Sequence, residues 1–393
     1  MNLLYTITSY PPATGGAQTH LHQLALQFQT RHNLRVAAFW NRNRTDWLLG
    51  TTLNAGPPGN ADQLDGIPVH LLGWSPPEKI SLVPAAALYY FLMPQIVPWI
   101  AAKLVPQLEQ IDPQAQVVHN VRVGREPLSW ASMLFARRKN IPFVFTPLHH
   151  PRWQGLRYRV FHDLYRQADA LVALTHSEKE YLVTAGASEA RVHVLGHGAV
   201  LAPSADPQAF IRANALSGPV ILFLGQHYEY KGFRQLLQAA PLVWKKVPEA
   251  HFVFIGPPVR SSEKYFNPSP DPRILRLGAV DLQSKTDALA ACTLLCVPST
   301  QESFGGVYTE AWSFAKPVIG CPIPAVREVI SEGEDGFLVD QQPGPIAERI
   351  LYLLQHPDQA HQMGLKGQQK VSNRYSWDTL ARRMETIYQA LLQ

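Results

Sequence analysis

The chain has 393 residues, 46% hydrophobic, 10% aromatic and 17% charged, a globular composition that excludes a disordered or low-complexity protein. Its 35 basic and 30 acidic residues leave a formal charge of +5, which suits a phosphate-bearing ligand or an anionic membrane surface. No lysine/arginine run is dense enough for nucleic acid, and the length exceeds what one hydrophobic core usually serves, so two domains are expected.

The first strand is expected at Leu3–Thr8, followed by the turn Pro11-Pro12-Ala13-Thr14-Gly15-Gly16. The N-terminus lacks a basic n-region and breaks at two prolines, so it reads as strand and turn rather than as a signal peptide. Leu21, Leu24, Ala25 and Phe28 recur at helical spacing and mark one buried face. A strand follows at Leu34–Phe39. From Ile80 to Ala102 no residue is charged, between Lys79 and Lys103, and that length could cross a membrane. Pro84, Pro94 and Pro98, with Gln95, favour a helical hairpin buried in the first domain; shallow membrane contact is the alternative. Strands at Val117–His119, Phe143–Thr146 and Ala170–Leu174, separated by helices, imply a parallel sheet with helices on both faces.

The pattern restarts after Ala202–Pro207. Strands are expected at Val220–Leu224, His251–Ile255, Ile274–Leu277, Leu294–Pro298 and Val318–Ile319. The helix after the first of them should bury Phe233, Leu236, Leu237 and Ala240. Cys292, Cys296 and Cys321 form no disulfide framework, which fits a reducing cytoplasm; Cys292 and Cys296, in or beside an apolar run that reads as a buried strand, are expected to be packing residues. The final helix, Trp377–Leu391, comes after the second sheet is complete and could cross back onto the first domain.

Open parallel sheets bind ligands at the carboxyl ends of their strands, and the chemistry-bearing residues fall there. Gly15 and Gly16 lie between the first strand and helix, where bare backbone can approach a phosphate; a plain tight turn is equally consistent. Their spacing is not the dinucleotide-binding fingerprint. Lys231, beside Gly232, holds the equivalent loop of the second half and can place its ammonium on a diphosphate, although most such lysines are only solvated. The strongest segment is Glu302-Ser-Phe-Gly305-Gly306-Val-Tyr-Thr-Glu310. Its glycines open a helix whose free N–H groups face the ligand, and its two carboxylates can accept from sugar hydroxyls. His149 and His150 follow the strand Phe143–Thr146 and could be metal ligands, proton carriers or hydrogen-bond donors. No third ligand stands at metal spacing and no Asp-x-Asp occurs, so no metal site is expected. His119 and His197 occupy similar loop positions, where a hydrogen-bonded core histidine is the plainer reading.

With Ile111-Asp112-Pro113, Lys316-Pro317-Val318-Ile319, Arg327-Glu328-Val329-Ile330 and Tyr375-Ser376-Trp377, these segments give the chain a resemblance over nearly its whole length. It resembles the retaining glycosyltransferases of the GT-B fold, family 4. The resemblance implies an α/β architecture of two Rossmann-like domains facing across a cleft. Residues 1–200, completed by 375–393 as the returning helix, would take the acceptor, and residues 201–374 the nucleotide-sugar donor. It implies hexosyl transfer with retention of anomeric configuration and no metal or other cofactor. His149, Glu302 and Lys231 would be catalytic. Gly15 and Gly16 would lie against the donor phosphates or sugar. Lys231 would hold the diphosphate, Glu302 and the backbone of Phe304, Gly305 and Gly306 the transferred sugar, and Glu310 the ribose. The family often carries an arginine where Gln226 stands here. As a donor-binding residue Gln226 could donate a hydrogen bond but brings no charge, so either another base such as His227 or Arg122 compensates or diphosphate binding is weaker. Gly196-His197-Gly198-Ala199 also replaces the family's usual Gly-Val-Asp.

Arg152, Arg157, Arg159 and Arg166, interleaved with Trp153, Tyr158 and Phe161, hint with the uncharged segment at a membrane-proximal or lipid-linked acceptor at the inner face of a membrane. A solvated helix face is the blander reading of the same residues. Two rivals share the architecture. A sugar-nucleotide epimerase or hydrolase would need an Asp or Glu carboxylate in the first-domain cleft able to abstract a proton, and Asp112 and Glu126 are poorly placed. A binding protein without turnover is favoured by Gln226 and opposed by the intact His149, Lys231, Glu302 and Glu310.

Overall fold

Apolar strands alternating with amphipathic helices assemble here into two parallel sheets, each within its own unit. The computed structural model describes residues 1–13, 15–40, 53–122, 124, 127–149, 155–156, 158–266 and 271–393. Of the residues singled out in the sequence, Thr14, Glu126, His150, Arg152, Trp153 and Arg157 lie outside this set. Contacts divide the chain into Met1–Gly196 with Trp377–Gln393, and His197–Ser376.

The first unit runs β1 (Asn2–Ser9), α1 (Gly16–Phe28), β2 (Asn33–Trp40), β3 (Gly59–Leu64), β4 (Ile67–Leu71), α2 (Pro76–Leu88) and α3 (Met93–Ile111). It continues with β5 (Val117–Val121), α4 (Leu128–Lys139), β6 (Phe143–Thr146), α5 (Arg159–Gln167), β7 (Ala170–Ala173), α6 (His176–Thr184) and β8 (Val192–Val194). Among the described residues the sheet order is β3-β4-β2-β1-β5-β6-β7-β8, parallel except for β3 against β4. The central strands are buried on both faces, which is why β1 and β5 read as nearly unbroken apolar runs. The β3–β4 hairpin escaped the strand reading, although its turn Asp65-Gly66, with both φ angles positive (51° and 80°), is a standard two-residue hairpin signal.

Leu21, Leu24, Ala25 and Phe28 are the buried face of α1, as their spacing implies. The uncharged segment does form two helices, but the expectation of a buried hairpin holds for only one. α3 buries Val97, Ile100, Ala101, Leu104 and Leu108 in the core, whereas α2 buries Leu82 alone. α3 packs on α4, α5 and β2, and α2 rests chiefly on α3, so most of the outer helix and Tyr90, Phe91 and Leu92 of the connection stay in solvent, while Tyr89 is buried in the core. No described helix is long and apolar enough to cross a membrane.

The second unit contains α7 (Pro207–Ala213), β9 (Val220–Leu224), α8 (Phe233–Trp244), β10 (His251–Ile255), α9 (Glu263–Phe266), β11 (Ile274–Gly278) and α10 (Leu282–Ala291). Then come β12 (Leu294–Cys296), α11 (Gly306–Trp312), β13 (Val318–Gly320), α12 (Pro324–Val329), β14 (Gly336–Leu338), α13 (Pro343–Gln355) and α14 (Pro357–Lys370). Its parallel sheet has the order β11-β10-β9-β12-β13-β14, the doubly wound Rossmann arrangement with its switch point between β9 and β12. In α8 the buried set is Phe233, Leu236, Ala239, Ala240 and Val243; Leu237 lies at the edge of the stripe and stays partly exposed. The three cysteines are free and buried, and burial pushes the Cys292 and Cys321 thiols up to about 12.

The last helix, α15 (Trp377–Leu392), belongs to the first unit. It packs on α1, and its buried Tyr388 hydroxyl lies 2.9 Å from that of Tyr5 and 2.5 Å from Nδ1 of His119.

Candidate functional site

In the second unit the informative residues gather at the switch point. β9 ends at Leu224, and the chain then turns through Gly225 to Lys231 and Gly232. Gly232 is left-handed (φ 83°), and a Cβ there would come within 2.5 Å of the Pro298 carbonyl beyond β12. Glycine therefore lets the two exit loops lie backbone to backbone. They are stitched further by Thr300 N–H donating to Tyr230 O (2.8 Å) and by the Gln341 amide donating to the carbonyls of Pro298 and Tyr230 (2.7 and 2.9 Å).

That closeness brings Lys231 Nζ to 2.5 Å from Oε1 of Glu302. The two side chains keep 20% and 11% of their surface exposed, enough for a ligand to reach both.

Glu310, on α11, is buried, and burial raises its carboxyl above the usual range. Lys285 of α10 opposes that shift with an ammonium 2.7 Å from Oε1. Sequence reasoning missed Lys285, which sits on an ordinary amphipathic helix with no local motif around it.

Between the carboxylates, Gly305 adopts φ 88°, and a Cβ on it would meet the Tyr308 ring at 2.4 Å. A Cβ on Gly306 would meet the His197 ring at 3.3 Å. The Phe304 side chain is buried beside His197 (centroids 6.1 Å apart) and Tyr375 (5.2 Å), so only its backbone can serve a ligand. His197 is thus a packing residue of this loop.

Gln226 is exposed, whereas His227 is fully buried between the rings of Phe233 and Phe266, at 5.5 and 5.3 Å. Burial, reinforced by the nearby Arg276, pulls its pKa down to about 4. His227 is therefore neutral near pH 7, and the expectation that it could replace the missing arginine's charge is overturned by its burial.

In the first unit, Gly15 caps α1 and Gly16 is its first residue, and nothing stands within 4 Å of where a Cβ on Gly16 would point. The loop is anchored by Tyr10, whose hydroxyl is 2.8 Å from His22 Nδ1, while His22 Nε2 is 2.9 Å from Asp65. Arg122, after β5, is nearly buried in a left-handed conformation (φ 76°), with its N–H donating to Thr146 O at 2.7 Å.

His149 follows β6 and is 6% exposed. Its ring stacks on Tyr181 with centroids 3.7 Å apart, and Nδ1 lies 3.3 Å from the Tyr165 hydroxyl. Its backbone N–H donates to Glu178 Oε1 at 2.6 Å, and the Leu174 N–H donates to Oε2 at 2.8 Å. Burial raises Glu178 to about 7 against those two bonds. Glu178 was also missed, although Thr175-x-x-Glu178 is a helix-start signature that could have located it. His119 bridges the Tyr388 hydroxyl and Thr146 Oγ1 (2.7 Å), and burial lowers its pKa to about 3, so it is a structural, neutral histidine. Among the described residues no three His, Cys, Asp or Glu side chains gather as a metal site.

Residues 218–356 match the family of Glycosyl transferases group 1, and residues 15–198 match the Glycosyl transferase 4-like domain. A D-inositol 3-phosphate glycosyltransferase of Xylanimonas cellulosilytica is 30% identical over 290 residues, covering 66% of this chain and 68% of that protein. The chain belongs to the group 1 glycosyltransferases. A phosphatidyl-myo-inositol mannosyltransferase of Mycobacterium tuberculosis is 28% identical over 214 residues, 51% of this chain and 56% of that one. The chain thus spans about half the length of the mannosyltransferases it matches. In fold it is similar to Anabaena HepE, crystallised with UDP and glucose (TM-score 0.73, 18% identity, 99% and 100% of the two chains covered). It is similar as well to sucrose-phosphate synthase of Thermosynechococcus elongatus (TM-score 0.71, 17% identity, 100% and 99% covered). The two α/β units are those of the GT-B architecture.

Proposed function

We propose that this chain moves a hexosyl group from a nucleotide-diphosphate sugar to an acceptor hydroxyl, retaining anomeric configuration and needing no metal. One observation carries the reading: two carboxylates, Glu302 and Glu310, each paired with a lysine, stand at the switch point of the second sheet. Carboxylates accept from sugar hydroxyls, so Glu302 suits the transferred sugar and Glu310 the ribose. As the bond from the anomeric carbon to the diphosphate breaks, charge grows on the leaving oxygens, and Lys231 is the cation placed to stabilise it. In the first unit, Gly15 and Gly16 are read as donor-binding residues and His149 as a hydrogen-bond donor to the sugar being moved.

The acceptor is read as lipid-linked, with the enzyme working at the inner face of a membrane. The phosphatidyl-myo-inositol mannosyltransferases among its relatives and the solvent-facing apolar residues of α2 support this. Gln226 and the neutral His227 favour one second reading, a donor-binding protein without turnover.

The test is thermal stabilisation by UDP, GDP, ADP and their sugar conjugates, with and without EDTA, followed by sugar release or transfer with whichever conjugate binds. A saturating ligand at about 100 times its Kd adds about 2.7 kcal/mol. One nucleotide standing out, indifferent to EDTA, supports the transferase. Binding without any turnover favours the second reading, and no stabilisation by any nucleotide rejects both.

A further inference from the structure

We propose that the α2–α3 connection and the pocket beside it form one docking face for an anionic bilayer, the apolar tip entering the lipid and the pocket receiving a headgroup phosphate. The proposal deepens the lipid-linked acceptor reading and rests on it.

The exposed large apolar side chains of the described residues are unevenly spread. Ile80, Val83, Leu88, Tyr90, Phe91, Leu92 and Trp99 all fall in one stretch of the chain, while the others are scattered. Phe91 is 84% exposed and Ile80 73%, values that a monomer in water gains nothing by keeping together. Cations stand only at the ends of this uncharged stretch. Lys103 holds its ammonium 4.5 Å from the centre of the Trp99 ring, an aromatic with a snorkelling lysine as found at the edge of a bilayer.

An open pocket of about 630 Å³ adjoins the tip. Pro94, two residues beyond Leu92, forms one wall; the rest of the lining includes Arg159, His162, Asp163 and Arg166 of α5 and Tyr181 of α6. Arg166 is already engaged by Asp163 (2.6 Å) and the Ala185 carbonyl (3.2 Å). Arg159 is exposed and makes no ion pair with a described residue, so its charge is available to an anion. Tyr181 is common to the pocket and to the catalytic neighbourhood, because its ring stacks on His149 at 3.7 Å. A headgroup phosphate held at Arg159 would keep its acyl chains on the Phe91 side and its polar end toward His149. An uncharged tip beside a pocket that carries the exposed charge of Arg159 suits an anionic lipid better than a protein surface, which would be expected to meet it with paired charges.

The full chain is sedimented with vesicles of phosphatidylcholine alone or mixed with phosphatidylglycerol, at low and high salt. The wild type should bind the mixed vesicles at least tenfold more tightly at low salt. The double variant Phe91→Ser, Leu92→Ser should lose about tenfold at either salt concentration, and Arg159→Glu should lose the preference for phosphatidylglycerol. No vesicle binding by the wild type, or undiminished binding by the tip variant, overturns the proposal. So does self-association or protein capture that the tip variant abolishes while vesicles are ignored. Nucleotide-induced stabilisation, measured on the same samples, separates the two levels. Its presence without vesicle binding rejects the docking face alone, and its absence rejects the transferase reading beneath it.

Discussion

Lys285 donates from one ammonium to Oε1 of Glu310 and to the Val200 carbonyl, each at 2.7 Å, and so ties the carboxylate read as the ribose ligand to two other segments of its unit. Burial already raises the carboxyl of Glu310, and Lys285 is the main group opposing it. Lys285→Met should therefore raise it further, leaving less of the ionised form proposed to accept from ribose hydroxyls. Nucleotide affinity should fall about tenfold at pH 7, and the pH below which binding is lost should move upward. Calorimetric titration between pH 5 and 8 reads both; a profile superimposable on the wild type would remove Lys285 from the site. Lys285→Arg should retain most of the binding.

The pairing of Lys231 with Glu302 makes a different prediction. The lysine is neutralised by Glu302 at 2.5 Å before any donor arrives, so a diphosphate must compete for it. Glu302→Gln releases the ammonium while removing the carboxylate proposed to accept from the sugar. Binding of the free nucleoside diphosphate should stay the same or tighten several-fold, while kcat falls at least a hundredfold. Parallel loss of both quantities would show that Glu302 serves the fold rather than the sugar.

Gln226 is exposed beside the same loop, and the neutral, buried His227 cannot supply the absent charge. Gln226→Arg should therefore tighten diphosphate binding about ten- to a hundredfold, as about 1.5–3 kcal/mol for a charged hydrogen bond implies. The gain should shrink in high salt. An unchanged Kd at low salt would mean the diphosphate lies beyond reach of position 226.

Much of this molecule was legible before its structure. Strands such as Phe143–Thr146, Val220–Leu224 and His251–Ile255 were bounded correctly, because buried parallel strands are continuous apolar runs ended by loop residues. What escaped was set by tertiary placement. The β3–β4 hairpin is half polar, and only its Asp65-Gly66 turn announces it. α2 has the composition of a core helix, but α3 occupies the position against the sheet. Lys285 and Glu178 carry no motif of their own that links them to Glu310 or to His149. His227 looks like a usable base in the sequence and loses that role only because aromatic rings enclose it.

Glu178 supplies the last prediction. Its carboxylate accepts from the backbone N–H groups of His149 and Leu174, and burial places its pKa at about 7. That value lies above the ordinary glutamate value of an unfolded chain, so between the two the folded state binds more protons. Its contribution is fully present below about pH 4.5 and is lost as pH rises through 7, by an amount on the order of 3 kcal/mol. Glu178→Gln removes the titration. The amide can accept only one of the two N–H bonds well, so the variant should be less stable than the wild type at pH 5, by about 1–3 kcal/mol. The gap should narrow at pH 8, where the wild type carries a buried charge. Urea unfolding at the two pH values measures this directly. A gap that widens with pH would mean the ionised carboxylate is the favoured form, held by its two N–H donors. Because one of those donors belongs to His149, kcat of the variant should fall even where its stability matches the wild type. An unaltered kcat would show that His149 keeps its place through the Tyr181 stack alone.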